Sequence, residues 1–110
     1  MSPEGRFEIA LGTPGTITPT IPSGVTPLIG GEDKVNFRWQ ADPNATWYRI
    51  WVNREGKAWQ DRWIHTGTAT GQLYSVFEWH QPGYAYEWWI KGWSPDGEGS
   101  WSVPLQYTTQ

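Results

Sequence analysis

The fold of this chain is decided by residues 84–102, which read YAYEWWIKGWSPDGEGSWS. In a β-strand successive side chains point to opposite faces, so the first half of the stretch divides into two sets. One set is Tyr86, Trp88, Ile90 and Gly92, and the other is Glu87, Trp89, Lys91 and Trp93. The SPDGEG that follows is typical of a tight turn, and Ser100-Trp101-Ser102 begins a new run. Because both faces of the predicted strand carry tryptophan, we expect the second face to be covered as well.

The composition excludes several classes of protein. A length of 110 residues suits one domain with a real core. The formal net charge is −3 and the basic residues are scattered, so we expect no nucleic-acid partner. No stretch approaches the 18 or more apolar residues of a membrane helix, so we expect no membrane insertion. The absence of cysteine excludes disulfides and thiolate metal sites.

The aromatic content exceeds what a small core can hold. The chain has 10 Trp, 5 Tyr and 3 Phe, together with 16 Ile, Leu and Val residues. Seven short strands of alternating side chains offer roughly 15 to 20 inward positions. A surplus of large apolar side chains, most of it aromatic, predicts an exposed patch that meets a partner.

Short alternating runs recur along the rest of the chain at roughly ten-residue spacing, and no helical period is sustained. We predict strands over residues 25–29, 35–40, 46–53, 58–65, 73–79 and 84–93, and from residue 100 to the end. In the predicted strand over residues 58–65, the side chains of Trp59, Asp61 and Trp63 are expected on one face. Residues 12–27 are rich in proline, which indicates a linker or an edge strand. The pattern predicts an all-β sandwich whose core contains Trp39, Tyr48, Ile50, Tyr86, Trp88 and Ile90.

These motifs resemble the fibronectin type III domain over about residues 25–110. The resemblance is carried by Trp39, by Tyr48-x-Ile50-x-Val52, by Pro82-Gly83-x-x-Tyr86-x-Trp88-x-Ile90-x-Gly92 and by Gly97-x-Gly99-x-Trp101-Ser102. It implies a seven-stranded, immunoglobulin-like β-sandwich in which Tyr86 is the tyrosine corner. The runs ATWYRIWVN and YEWWIKGWSPDGEGSWS look more narrowly like a Trp-rich version found in bacterial secreted and surface proteins. The chain departs from the family at His80, where a leucine usually stands six positions before the corner tyrosine.

An additional strand is predicted ahead of the sandwich. Residues 6–11, RFEIAL, place Phe7, Ile9 and Leu11 on one face. We therefore divide the chain into an N-terminal extension over residues 1–24, made of this strand and a Pro/Thr/Gly-rich linker, and a domain over residues 25–110. An extended linker could span about 45 Å, enough to reach the edge of its own sheet or that of another copy. The alternative is that RFEIAL ends a preceding domain.

The sequence carries no recognisable catalytic constellation. His65 and His80 lack metal-ligand spacing, and neither a cysteine nucleophile nor a G-x-S-x-G elbow is present. Glu78 and Glu87 could pair as the two carboxylates of a glycosidase, but glutamates on strand faces usually only solvate a surface. We therefore expect no enzyme activity, no cofactor and no metal.

The second tryptophan face is the candidate site. The resemblance to the fibronectin type III domain implies that the third, sixth and seventh strands are neighbours. This arrangement places two sets of side chains next to each other. These sets are Trp47, Arg49 and Trp51 on one strand and Trp89, Lys91 and Trp93 on the next. Trp101 joins them only if a bulge turns it outward. Three hypotheses follow: a cation–π ladder that stiffens the sheet, a surface for a protein partner or another copy of the chain, and a platform for a polysaccharide.

Protein contact or self-assembly is the hypothesis that we favour, because RFEIAL is a complementary apolar strip on the same chain. The alternative is a carbohydrate-binding module of a secreted polysaccharide-active or adhesive protein, since indoles stack on sugar rings. In either case the resemblance implies an extracellular or cell-surface location.

Overall fold

The computed structural model describes residues 12–29, 33–65 and 72–110, without the side chains of residues 72–76. The predicted strand over residues 6–11 lies outside the described residues. The described chain is built of β-strands arranged in two sheets, which confirms the all-β sandwich.

Nine strands are present in the described residues. They are β1 (Pro19–Ile21), β2 (Gly24–Thr26), β3 (Val35–Gln40), β4 (Trp47–Arg54), β5 (Lys57–His65), β6 (Gln72–Phe77), β7 (Ala85–Ser94), β8 (Gly97–Glu98) and β9 (Leu105–Thr109). The smaller sheet has the order β1-β3-β6. The larger sheet has the order β2-β9-β7-β4-β5, and β8 pairs with the end of β7. β4 therefore lies between β5 and β7, one strand in from the edge of the larger sheet.

The first and last strands differ from their predicted positions. The first strand was expected over residues 25–29, but two short strands, β1 and β2, lie at Pro19–Ile21 and Gly24–Thr26 instead. Both lie at sheet edges, and β1 begins at Pro19, whose nitrogen has no hydrogen to donate to a ladder. β9 occupies part of the predicted last strand, whereas β8 lies in the stretch predicted as a turn, and both pair with β7. Nine strands replace the seven predicted because β1 and β8 form in stretches predicted as linker and turn.

The core lies between the inner faces of the sheets. All six residues predicted for it are buried: Trp39, Tyr48, Ile50, Tyr86, Trp88 and Ile90. Trp88 is 0% exposed, and its indole N–H donates to the carbonyl of Pro22 at 3.0 Å. Its ring meets the ring of Phe37 edge-on, with centroids 4.8 Å apart. The two sheets are thus joined through this indole, which is both packed and hydrogen-bonded.

The predicted tyrosine corner is present. The Tyr86 hydroxyl accepts a hydrogen bond from the backbone N–H of Gln81 at 3.1 Å, five residues upstream. His80, the departure from the family pattern, is buried, and its Nε2 lies 2.8 Å from the Tyr107 hydroxyl. The ring of Trp59 covers the imidazole edge-on. His80 therefore occupies a core position, and the register of the corner is unaffected.

The described part of the predicted linker packs on the sandwich. Pro14, Ile17 and Pro22 are buried. A Cβ on Gly99 would lie 2.8 Å from the carbonyl oxygens of Pro14 and Gly15, so the chain can pass here only over a glycine. The linker is therefore not fully extended, but is held against the domain over its described length. The division of the chain at residue 24 stays a prediction.

Candidate functional site

The outer face of the larger sheet brings the predicted site residues together. In the antiparallel pairing of β4 with β7, Trp47 lies opposite Trp93, Arg49 opposite Lys91, and Trp51 opposite Trp89. All six point away from the core because they alternate with the buried residues of the same strands. Trp63 and Trp101 lie beside them. We call these eight residues the aromatic face.

Arg49 is the central cation of the aromatic face. Its guanidinium carbon lies 6.0 Å from the ring centroid of Trp51, 5.5 Å from that of Trp63 and 5.6 Å from that of Trp101. The same guanidinium donates two hydrogen bonds to the Asp61 carboxylate, at 2.9 and 2.8 Å. These bonds raise the pKa of Arg49 and lower the pKa of Asp61. One ion pair, framed by indoles, therefore spans the centre of the face.

Lys91 is the second cation, and it is largely buried beneath its neighbours. Its Nζ lies 4.8 Å from the ring centroid of Trp101 and forms an ion pair with the Glu98 carboxylate on β8. This bond holds the pKa of Glu98 below its ordinary value. Both cations of the aromatic face are thus neutralised within the face itself.

Trp101 joins the aromatic face through an irregular stretch between β8 and β9. Gly99 N–H donates to the Gly92 carbonyl, and Ser102 N–H donates to the Ile90 carbonyl at 2.8 Å. Ser102 turns inward, where its hydroxyl accepts from the N–H of Ile90, while Trp101 turns outward. The predicted need for a bulge is therefore met by this interruption of the last strand.

Trp63 is the member that the sequence analysis missed. A bulge in the β4–β5 hairpin, between Val52 and Asn53, leaves Trp59 unpaired and shifts the register by one residue. As a result Asp61 and Trp63 face outward, opposite Trp51 and Arg49. Trp59 instead packs against the core, so its predicted phase with Asp61 and Trp63 is wrong. A partial signal was available, since a charged Asp61 belongs on an outer face.

Two depressions lie on the aromatic face. The polar depression, of about 500 Å³, is lined by Arg49, Trp51, Trp89, Trp101 and Ser102. The apolar depression, of about 340 Å³, is lined by Trp47, Trp63 and Trp93. Trp63 is 45% exposed and Trp101 is 38% exposed, which makes them the most exposed indoles of the face. The face therefore offers exposed indole surface on both sides of the Arg49–Asp61 ion pair.

The residues considered for catalysis are engaged separately. Glu78 forms an ion pair with Arg62 at 3.1 Å, whereas Glu87 accepts a hydrogen bond from Gln106 on the outer face. Within residues 12–29, 33–65 and 72–110, no group of three or more His, Asp or Glu side chains could hold a metal ion. Over the same residues no helix is long and apolar enough to cross a membrane.

The two histidines lie in opposite environments. His65 is exposed at the end of β5, where its ring lies 4.7 Å from that of Trp47 between centroids. His80 is buried, and this burial lowers its pKa from 6.5 to about 4. Burial likewise raises the pKa of the Tyr107 hydroxyl that contacts it. The pair is therefore neutral and structural near pH 7.

Comparisons with known proteins bear on the fold. No protein-family model and no curated protein matches the chain. Three similar solved structures are the FN1–FN3 domains of chicken CNTN1, the FN5 domain of Drosophila Lar and the twitchin kinase region of C. elegans. Their sequence identities are 16%, 15% and 18%, with TM-scores of 0.59, 0.57 and 0.57. The matches cover 89%, 87% and 84% of this chain.

The same matches cover 34% of the chicken chain, 96% of the Drosophila chain and 16% of the nematode chain. This chain therefore spans about a third of the first relative, and corresponds to a single domain of it. Identities this low establish the fold alone. The narrower resemblance to the Trp-rich bacterial version stays a prediction. Together with the sheet order and the tyrosine corner, these neighbours show that the chain has the fold of a fibronectin type III domain.

Proposed function

We propose that this domain is a non-catalytic interaction module that binds another protein through its aromatic face. The observation that carries the proposal is the exposure of Trp63 and Trp101 at opposite sides of Arg49, whose charge Asp61 already neutralises. Tryptophan is the residue type most enriched among the side chains that dominate protein–protein binding energies.

The internal ion pairs make the face suitable for burial under a partner. Burying an unpaired charge is costly, whereas a charge that keeps its hydrogen-bonded counterion is much less so. Arg49 keeps Asp61 and Lys91 keeps Glu98, so a partner could cover the face without supplying counterions. A partner therefore needs only a complementary apolar surface. A second copy of this chain is one such partner, and its binding would be self-assembly.

Carbohydrate binding is the second candidate function. It is favoured by the polar depression, where Arg49 and Ser102 stand beside three indoles. Two of the N–H donors of Arg49, however, are directed at Asp61, and Trp51 Nε1 donates to Asn53 at 2.8 Å. Fewer groups are left to bond sugar hydroxyls, so protein contact is the better supported function. In both cases we propose an extracellular or cell-surface location, on the strength of the narrower sequence resemblance.

The experiment uses photo-crosslinking followed by measured affinities. A photoreactive residue at Asn53, beside Trp51 on the outer surface, should capture the partner from the source organism's extract. The captured protein is then purified and titrated against the wild type, Trp63→Ala and Trp101→Ala. We expect the dissociation constant to rise about 30-fold for each variant, since an interface anchor of this kind contributes about 2 kcal/mol.

Trp79→Ala is the matched control. Trp79 is 61% exposed, but it lies after β6, stacked on Arg62 and away from the aromatic face. Its loss should leave the affinity unchanged. Equal weakening by Trp79→Ala, or no weakening by either face variant, contradicts the proposal. Quenching of indole fluorescence by soluble polysaccharides that is lost in Trp101→Ala would favour the carbohydrate function instead.

A further inference from the structure

The apolar depression of the aromatic face lies next to the point where the described chain begins. Among the described residues, its lining consists of the indoles of Trp47, Trp63 and Trp93. Three tryptophans arranged in this way form an apolar surface that water solvates poorly.

The chain enters the sandwich at the end of β7 that carries this depression, on the inner side of the sheet. The carbonyl of Gly12 accepts a hydrogen bond from the hydroxyl of Ser94, which is buried and follows Trp93 on β7. Gly15 N–H donates to the Asp42 carboxylate at 2.9 Å, and Pro14 packs over the core side of Gly92. Residues preceding Gly12 therefore reach the Trp93 indole only by turning around the end of β7 onto the outer face.

The segment immediately before Gly12 has the complementary chemistry. Residues 6–11, RFEIAL, carry Phe7, Ile9 and Leu11 at alternate positions. Six residues span about 20 Å when extended. The distance across the sheet from β7 to β5 is two strand spacings, about 10 Å. The segment is therefore about twice as long as this distance, which leaves residues to turn around the end of β7 onto the outer face.

We propose that residues 6–11 dock on the apolar depression of their own chain, with Phe7, Ile9 and Leu11 against Trp47, Trp63 and Trp93. The same chain is favoured over a second copy because the segment is attached at the end of the sheet where the depression lies. Such an attachment gives an effective concentration in the millimolar range. The docked segment would compete with a partner for this end of the face. That consequence, unlike the docking, rests on the proposed function.

The test compares two triple variants of the full chain labelled with fluorotryptophan. The first, Phe7→Ser/Ile9→Ser/Leu11→Ser, removes the apolar side chains of the segment. The second, Arg6→Ser/Glu8→Ser/Ala10→Ser, changes the alternate positions and is the matched control. Fluorine NMR signals are assigned by single Trp→Phe changes. We expect the signals of Trp47, Trp63 and Trp93 to shift in the first variant alone, and that of Trp79 to stay in place.

Each other outcome contradicts part of the proposal. Absence of a shift, or equal shifts in both variants, overturns the docking. Wild-type signals that change on dilution, together with a doubled mass in sedimentation, assign the segment to a second copy and overturn the same-chain arrangement. If the shifts occur and the purified partner binds both variants and the wild type equally, the docking stands and competition is excluded. If no partner depends on the aromatic face, only the proposed function fails.

Discussion

Trp88 and Trp89 are adjacent on β7, yet the two faces of the larger sheet use them differently. Trp88 is 0% exposed, donates its N–H to a backbone carbonyl and packs edge-on against Phe37. Trp89 is half-buried, opposite Trp51, and lines a depression open to solvent. On the inner face tryptophan fills space, whereas on the outer face it stands beside paired charges. The same residue type should therefore contribute mainly to folding on one face and mainly to recognition on the other.

The largest expected effect separates these two tryptophans directly. Trp88→Ala should lower the free energy of unfolding by about 3 to 5 kcal/mol, because it leaves a large cavity between the sheets. Trp89→Ala should lower it by only about 1 to 2 kcal/mol, because its indole is half solvated already. Denaturant titrations followed by circular dichroism measure both. Equal losses would mean that the outer face stabilises the fold as much as the core does. They would support the hypothesis that a cation–π ladder stiffens the sheet.

The second expected effect extends the comparison to the two histidines. The folded pKa of His80 is lowered to about 4, chiefly by burial, from an ordinary value of 6.5. The unfolded chain therefore binds the proton more readily, and stability is complete above pH 6.5 and falls as the pH drops toward 4. The loss should approach about 3 kcal/mol at its full extent. The groups that act on this imidazole are Asp33, Arg54, Arg62, Phe77, Tyr86 and Tyr107.

Urea titrations between pH 7.5 and 4 measure this dependence. His80→Leu should flatten the curve in that range, although its stability at pH 7.5 should fall because the buried Tyr107 hydroxyl loses its partner. His65→Leu is the matched control, because it replaces the other histidine of the chain at an exposed position. A His80→Leu chain that still loses about 3 kcal/mol over this range would show that another group is responsible.

The smallest expected effect concerns the charges of the aromatic face. A double-mutant cycle of Arg49→Ala and Asp61→Ala should give a coupling energy of up to about 1 kcal/mol that weakens with added salt. The Arg62–Glu78 pair has similar exposure but a single contact at 3.1 Å, and should give less. The physical reason is the bidentate geometry at Arg49. A larger coupling at Arg62–Glu78 would contradict the assignment of Arg49 as the central cation.

The sequence predicted the core and most of the aromatic face, because both depend on alternation within single strands. Tyr86, Trp88 and Ile90 lie inward and Trp89, Lys91 and Trp93 lie outward at the predicted parity. The pairing of β4 with β7 preserved this parity without interruption. Where a strand pairs regularly, the two-residue period suffices to assign each side chain to its face.

The sequence failed where pairing is irregular. A regular hairpin over Arg54–Lys57 would place Asp61 opposite Ile50, on the inner face, but the bulge places Arg62 there instead. Trp63 thus reaches the aromatic face, while Trp59 stays on the core side. The bulge relieves the burial of an aspartate, while Arg62 stacks on Phe77 at 4.4 Å and reaches Glu78. No local pattern marks the position of such an extra residue.

By itself, then, the sequence determined the all-β class, the tryptophan core and the two-sided character of β7, because each depends on local spacing, and the family resemblance implied the tyrosine corner. Only the tertiary structure decided the burial of His80, the outward turn of Trp101, the ion pairs that neutralise Arg49 and Lys91, and the packing of the chain from Gly12 onward. These features depend on which distant residues meet across strands and sheets. Contacts between residues so far apart in the chain are specified by the packing of the whole domain, and no spacing within a single strand encodes them.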